Sequence, residues 1–313
     1  MVRRLAPILV ALLAAGCGGS SDDTNSGAAS SGGGTNTTAV RTTPAPTATV
    51  PTTTTLPSPA DDPAALAAQV TAVERTLRDP ATPPEVAEST GTFQQLAYRR
   101  LSAHPEWDAA FFAAIEPDVA AAAANNVAAF RAFQRPPHGP PSDTLPAWRI
   151  VPPRPVDELM GYYRESEAAT GVPWYYLAAI HLVETRIGRI DGLSTAGAQG
   201  PMQFLPSTWA ECCTGDIENP RDAIIGAGVY LQRSGAPGDM DQAILRYNRD
   251  TRYRDAIKAY AANMAADERA YLGYHEWEVF YASSAGSFHL PVGYEEPAPV
   301  PVAEASTTAA LPG

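Results

Sequence analysis

The stretch IHLVETRIG, residues 180–188, sets one carboxylic acid, Glu184, among Ile, Leu and Val just before a glycine. Each residue advances about 100° around a helix axis, so Leu177, Ile180 and Ile187 project on the same side as Glu184. Arg186 and Arg189 project on the far side, which deprives an intrahelical ion pair of its nearest partners. The carboxyl is expected to face the core or a cleft. Apolar neighbours disfavour its charged form and raise its pKa, which suits a general acid. The bland alternative is a buried glutamate satisfied by a distant arginine or backbone group. Further on, STAGAQGPMQFLPSTW (194–209) places the amides of Gln199 and Gln203 beside Met202 and Phe204, with Gly197, Gly200 and Pro201 between them. Side-chain amides can bond a neutral polar ligand such as an N-acetyl sugar, apolar side chains can pack on its face, and glycines admit close approach to the backbone. A plain turn between two helices fits the same residues.

The elements that must hold these groups are mostly helical. GVPWYYLAAIHLVETRIGRI (171–190) reads as one helix, with Pro173 in its first turn and Gly188, Gly192, Arg186 and Arg189 at its end. NPRDAIIGAGVYLQRSG (219–235) has Asn219 as N-cap, Pro220 at the first position and Gly235 as the stop. DMDQAILRYN starts another helix that ends on Tyr247 and Asn248. In TRYRDAIKAYAANM, residues Tyr253, Ile257, Tyr260 and Met264 form one stripe, a pattern more typical of core than of a site. YHEWEVFYASSAGSFHLP (274–291) alternates around a Ser-Ala-Gly turn and predicts a hairpin.

The whole chain adds context. Residues 1–17, MVRRLAPILVALLAAGC, carry Arg3 and Arg4, an apolar run of about a dozen residues and small residues before Cys17, a secretory pattern too short for a comfortable membrane span. Residues 18–62 are rich in Ser, Gly, Thr and Pro and are expected to form an extended tether. Leu66, Val70, Val73 and Leu77, then an Ala-rich block with Leu96, Leu101, Trp107, Phe111, Val127 and Phe130, predict a helical prefix over 63–135. Residues 136–155 are Pro-rich and predict a linker. A main domain over 156–270 and a hairpin with a Pro-rich tail over 271–313 complete a chain expected to be mainly α.

Four pieces occur in order: VET near a helix end, GAQGPMQFLPSTW about a dozen residues on, RYN, then a tyrosine in RYRDA. Together they resemble the lytic transglycosylases, over roughly residues 156–270. The resemblance implies a lysozyme-like α-helical catalytic domain, related to goose-type lysozymes, with Glu184 as acid and base. It implies a sugar cleft lined by Gln199, Gly200, Met202 and Gln203, and substrate held by Tyr247, Asn248 and Tyr253. Thr185 stands where the family often has Ser, and Pro201 where many members have Leu or Tyr. Cys17 after LAAG is similar to the lipidated cysteine of bacterial lipoproteins, although Ala14 stands where Leu is usual. The expected partners are then peptidoglycan glycan strands and, through the lipid, a membrane. The place of action is the outer face of the bacterial cytoplasmic membrane, and the chain is expected to be a monomer.

Other chemistries fit less well. His181 and Glu184 form an H-x-x-E pair, but Thr185 stands where an inverted zinc motif needs His, and no His-x-x-x-His occurs. GLSTAG misses the G-x-S-x-G spacing of a serine hydrolase. No metal or cofactor is expected. A lysozyme-type muramidase and a non-catalytic wall-binding lipoprotein remain as alternatives. The net charge of −12 argues against nucleic acid and against steering towards an anionic wall. Adjacent Cys212 and Cys213 have alpha carbons about 3.8 Å apart, below the usual disulfide range, so either a strained vicinal disulfide or two free thiols is expected.

Overall fold

The computed structural model describes residues 58–134 and 141–304, so Cys17, the leader and most of the tether lie outside the described residues. Four helices come first: α1 (Pro63–Arg78), α2 (Pro84–Ala103), α3 (Asp108–Ala114) and α4 (Pro117–Gln134), with a 3-10 turn at Pro105–Trp107. Seven more follow: α5 (Val156–Thr170), α6 (Trp174–Thr185), α7 (Pro206–Cys212), α8 (Pro220–Arg233), α9 (Met240–Tyr247), α10 (Thr251–Ala266) and α11 (Ala270–His275). The described residues are mainly helical. Six short strands pair antiparallel, β1 (Thr144–Leu145) with β6 (Val300–Pro301), β2 (Arg149–Ile150) with β3 (Ile190–Asp191), and β4 (Val279–Ser283) with β5 (Gly286–Leu290).

Local chemistry sets the helix starts. Asp62 accepts from the backbone N–H groups of Ala64 and Ala65 with Pro63 next in line, Asn219 does the same for Arg221 and Asp222 before Pro220, and Asp250 accepts from Arg252 N–H at the start of α10. Helix α5 stops at Gly171, whose φ of 73° lies in the left-handed region. Where α5 crosses α8, a Cβ at Gly228 would meet Ser166 Oγ at 2.2 Å, so only glycine lets the helices approach this closely.

One core joins the helical prefix to the main domain. It runs from Leu66 and Val70 of α1 through Tyr98, Phe111 and Val127 to Leu177, Ile224, Tyr253, Tyr260 and Trp277. A polar network crosses it: the Glu74 carboxylate, wholly buried, accepts from Gln94, Tyr98 and Asn126 and pairs with Arg78. Tyr274 donates to Asn126 and accepts from Asn263, which ties α4, α10 and α11 into the same network. Residues 63–134 are therefore packed as part of the body that carries Glu184, not set apart from it.

Two expectations change at this level. The segment expected as a linker forms β1 and β2 over 144–150, and Ile150 N–H donates to Tyr294 O at 2.8 Å. Leu145, Ile150, Ile190, Val279, Tyr281, Phe288 and Leu290 make a second small core beneath these pairs, so the linker and tail segments fold together against the hairpin. The Glu184 helix ends at Thr185, not near Gly192, because Arg186, Ile187 and Gly188 turn left-handed at φ of 55°, 58° and 77°.

Candidate active site

Helix α6 is apolar almost all round, and Leu177, Ala178, Ala179, Ile180 and Leu182 are buried with Glu184 in their midst. Glu184 is 8 % exposed. Its Oε1 accepts a hydrogen bond from Tyr253 Oη at 2.5 Å, while its Oε2 is buried with no partner among the described residues. Burial pushes the Glu184 pKa well above its ordinary value, and the Tyr253 hydrogen bond opposes that shift only in part. The group therefore holds its proton at pH values where an exposed glutamate is ionised. No Lys or Arg among the described residues lies within ion-pair distance of it; the helical position spoke only against a partner on the same helix.

The three left-handed residues behind Glu184 fix where α6 stops. A β-branched residue such as Ile187 costs roughly 1–2 kcal/mol in that conformation and persists only where its surroundings hold it. Arg186 N–H donates to Leu182 O, Ile187 N–H to His181 O and Gly188 N–H to Thr185 Oγ1. Thr185 then donates from Oγ1 to Pro201 O at 2.6 Å, which clamps the helix end to the 194–209 loop. Sequence reasoning noted Thr185 only as a substitution. Its signal is a hydroxyl one residue past the acid and within reach of the loop.

The loop is braced from below. Gln199 and Phe204 exchange both backbone hydrogen bonds across a tight turn, and Gln203 adopts φ of 50° there. Met202 and Phe204 are fully buried, and Met202 O accepts from Tyr247 Oη at 2.6 Å. Tyr247, itself fully buried, stacks near-parallel on Tyr253 with ring centroids 6.5 Å apart. A continuous chain of contacts thus runs from Glu184 through Tyr253 and Tyr247 to the loop. Burial raises the pKa of both phenols well above 10, and the nearby Glu184 carboxyl adds to this, so both remain donors.

The expected binding residues therefore divide. Glu184, Tyr253, Tyr247 and Met202 are brought together, with Tyr247 and Met202 as supports within the core and not as surfaces open to a ligand. Gly200, at φ of 70°, is required by its own chain: a Cβ there would meet Ile217 O at 2.0 Å. The expected approach of ligand to this glycine gives way to an approach by the 217–218 backbone. Gln203 folds its amide nitrogen onto Gly192 O and Gly200 O, whereas Gln199 is half-buried and its side-chain amide has no partner among the described residues. Asn248 caps α9, accepts from Asp250 N–H through Oδ1, and leaves its buried Nδ2 unpartnered. Like Glu184 Oε2, these two amides keep polar atoms without a partner among the described residues.

His181, one turn before Glu184, takes no part in the carboxyl's contacts. Its Nδ1 shares a hydrogen bond with Tyr163 Oη at 2.8 Å, and burial, with His275 adding to it, pushes its pKa down to about 3, so the ring is neutral. After the loop, Cys212 and Cys213 at the end of α7 form a disulfide across alpha carbons 3.7 Å apart, which resolves the two alternatives left by the sequence. Compared with known proteins, the chain matches no family model, no curated protein and no solved structure.

Proposed function

We propose that this protein is a peptidoglycan lytic transglycosylase with a lysozyme-like helical domain, acting on the β-1,4 bond between N-acetylmuramic acid and N-acetylglucosamine. The observation that carries this reading is the Glu184 carboxyl, which is buried, bonded by one phenol and free at its second oxygen. Such a group can deliver a proton and take one back, the two tasks a single acid must perform here. Glu184 protonates the glycosidic oxygen as the C1–O bond breaks. The substrate's own N-acetyl carbonyl stabilises the cationic C1. The Glu184 carboxylate then removes the proton from the muramyl O6 hydroxyl, O6 bonds to C1, and a 1,6-anhydro ring closes with Glu184 protonated again and no water consumed. Most glycosidases divide this work between two carboxylates at a separation that sets the stereochemical outcome.

The four ordered motifs support the substrate assignment, and the half-buried, unpartnered amide of Gln199 suits an N-acetyl sugar. Export with a lipid on Cys17 and a Thr/Pro-rich tether would hold the body away from the outer face of the cytoplasmic membrane, within reach of the wall. The test is mass spectrometry of products from isolated peptidoglycan. Muropeptides with 1,6-anhydro ends support the proposal. Reducing ends, one water heavier, would move the protein to the lysozyme-type hydrolases, and no soluble product would leave a wall-binding protein.

A further inference from the structure

An open groove of about 460 Å³ lies where β2 and β3 pair, within the roughly 300–1,000 Å³ usual for small-ligand sites. Trp148, Arg149, Asp191, Glu295, Glu296 and Pro297 line it. Only Asp191 belongs to the 156–270 region that carries the four ordered motifs. Trp148 and Arg149 come from the expected linker, and the other three from the expected tail. Main-chain contacts bring these segments together. Glu296 N–H donates to Trp148 O at 3.1 Å, and Arg149 stands opposite both Asp191 and Glu295. Tyr294 donates from Oη to Pro146 O at 2.8 Å, and Arg149 Nε bonds the Asp191 carboxylate at 3.0 Å.

Trp148 is fixed as a platform. Its Nε1 donates to Leu193 O at 3.2 Å, so its one polar atom is used within the protein. A Cβ at Gly192 would meet Trp148 Cδ1 at 2.4 Å, so glycine there is what admits the indole. Tyr281 meets the ring nearly at right angles, with centroids 5.7 Å apart. The indole is nevertheless only half-buried, next to Leu193, which is 58 % exposed. A rigid tryptophan with its N–H spent presents apolar surface to the groove. Glu295 and Glu296 add acceptors and no donor. This combination matches a sugar ring, whose C–H face packs on an aromatic ring and whose hydroxyls donate to carboxylates. Three acidic side chains against one arginine disfavour an anionic ligand. The groove also continues from the candidate active site. Ile190, the start of β3, follows Glu184 by six residues, and Gln203 Nε2 donates to Gly192 O at 3.3 Å. Gln203 belongs to the loop that Thr185 clamps onto the end of α6.

We propose that this groove is a distal sugar subsite, in which a neutral N-acetyl sugar ring of the glycan stacks on Trp148. The inference rests on the glycan-cleaving reading and extends it: the strand held at Glu184 runs on past the loop, and segments outside the motif-bearing region grip it.

The experiment uses the full chain carrying Glu184→Gln, which prevents turnover, and calorimetric titration with a hexamer of N-acetylglucosamine. Trp148→Ala should weaken hexamer binding about tenfold, the scale of losing one well-packed tryptophan contact. Trp148→Phe keeps an aromatic face but loses the bond to Leu193, and it should hold the hexamer nearly as well as its parent. Undiminished binding by the Ala variant overturns the subsite. So does a Phe variant as weak as the Ala one, because Trp148 would then act by anchoring the loop. No hexamer binding by the parent overturns the glycan reading itself, and this inference with it. Fluorine NMR of fluorotryptophan-labelled Glu184→Gln protein tests the contact even where the Ala variant does not fold. The Trp148 resonance, assigned with Trp148→Phe, should shift as the hexamer binds. A resonance that stays in place while the hexamer is bound overturns the subsite.

Discussion

Two glutamates lie in the same protein body on apolar helix faces, and their surroundings are opposite. Glu74 of α1 is wholly buried, with Oε1 bonded by Tyr98 at 2.5 Å, Gln94 at 2.9 Å and Asn126 at 3.4 Å, and Oε2 paired with Arg78. Glu184 of α6 has one phenol and an empty oxygen. Every acceptor position that matters at Glu74 is occupied, so its charge is spread over fixed donors and it works as a joint between α1, α2 and α4. At Glu184 the charged form lacks that support, so the proton stays until something else takes it. Burial is common to both acids; unmet hydrogen-bonding capacity belongs to Glu184 alone of the two, and the proposed catalytic role rests on it.

Exchanging each acid for its amide should separate the two. Glu184→Gln should lower the rate of glycan cleavage by about 10²–10⁴ while the protein folds as before. Because the folded pKa of Glu184 is raised, the unfolded chain releases this proton first as pH rises. The stability contributed by the carboxyl is fully present below its unfolded pKa and is lost as pH rises through the folded one. The Gln protein should therefore match its parent in acid and melt at an equal or higher temperature at neutral pH, as scanning calorimetry across pH would record. Glu74→Gln should do the reverse, costing about 2 kcal/mol or more in urea unfolding by leaving Arg78 with only Asp267, 3.6 Å away, as counter-ion, with activity per folded molecule retained. A Glu74→Gln protein that is fully stable but inactive would break the comparison.

Tyr253→Phe moves Glu184 further from the Glu74 pattern by removing its one donor. The Tyr253 hydrogen bond lowers the Glu184 pKa, so its loss should shift the alkaline fall of the pH–rate profile to higher pH, with kcat down by about tenfold. Tyr247→Phe touches the support alone. It frees Met202 O, costs about 1 kcal/mol of stability, and should raise KM more than it lowers kcat by loosening the loop.

The sequence carried part of this. Helical spacing was enough to put Glu184 on the buried side of α6, because the apolar pattern and the fold agree there. The same spacing puts Glu74 in line with Val70 and Leu77, yet little in it tells a saturated carboxyl from an unsatisfied one, since only Arg78, four residues on, is local and the other partners come from residues 20 to 52 positions away. The end of α6 was illegible for a related reason. Ile187 has no local preference for a left-handed turn, and it is held there by Thr185, His181 and the loop. Strands β1 and β6 are two residues each and meet across more than half the described chain, so no periodicity announces them. Tyr247, at the end of α9, stands outside the stripe that holds Tyr253 and Tyr260, and nothing local to it tells a ligand contact from a support. Its hydroxyl on Met202 O decides for support.

The measurement that bears most directly on Glu184 is the titration of its own carboxyl, followed by carbon-13 NMR in protein labelled at glutamate, with Glu184→Gln used to assign the signal. Burial and the single phenol contact predict a midpoint well above the ordinary glutamate range, with the carboxyl still protonated when the exposed glutamates have ionised. A midpoint at or below the ordinary value of about 4.3 would contradict the account, because Glu184 would then be a carboxylate at neutral pH with no proton to give.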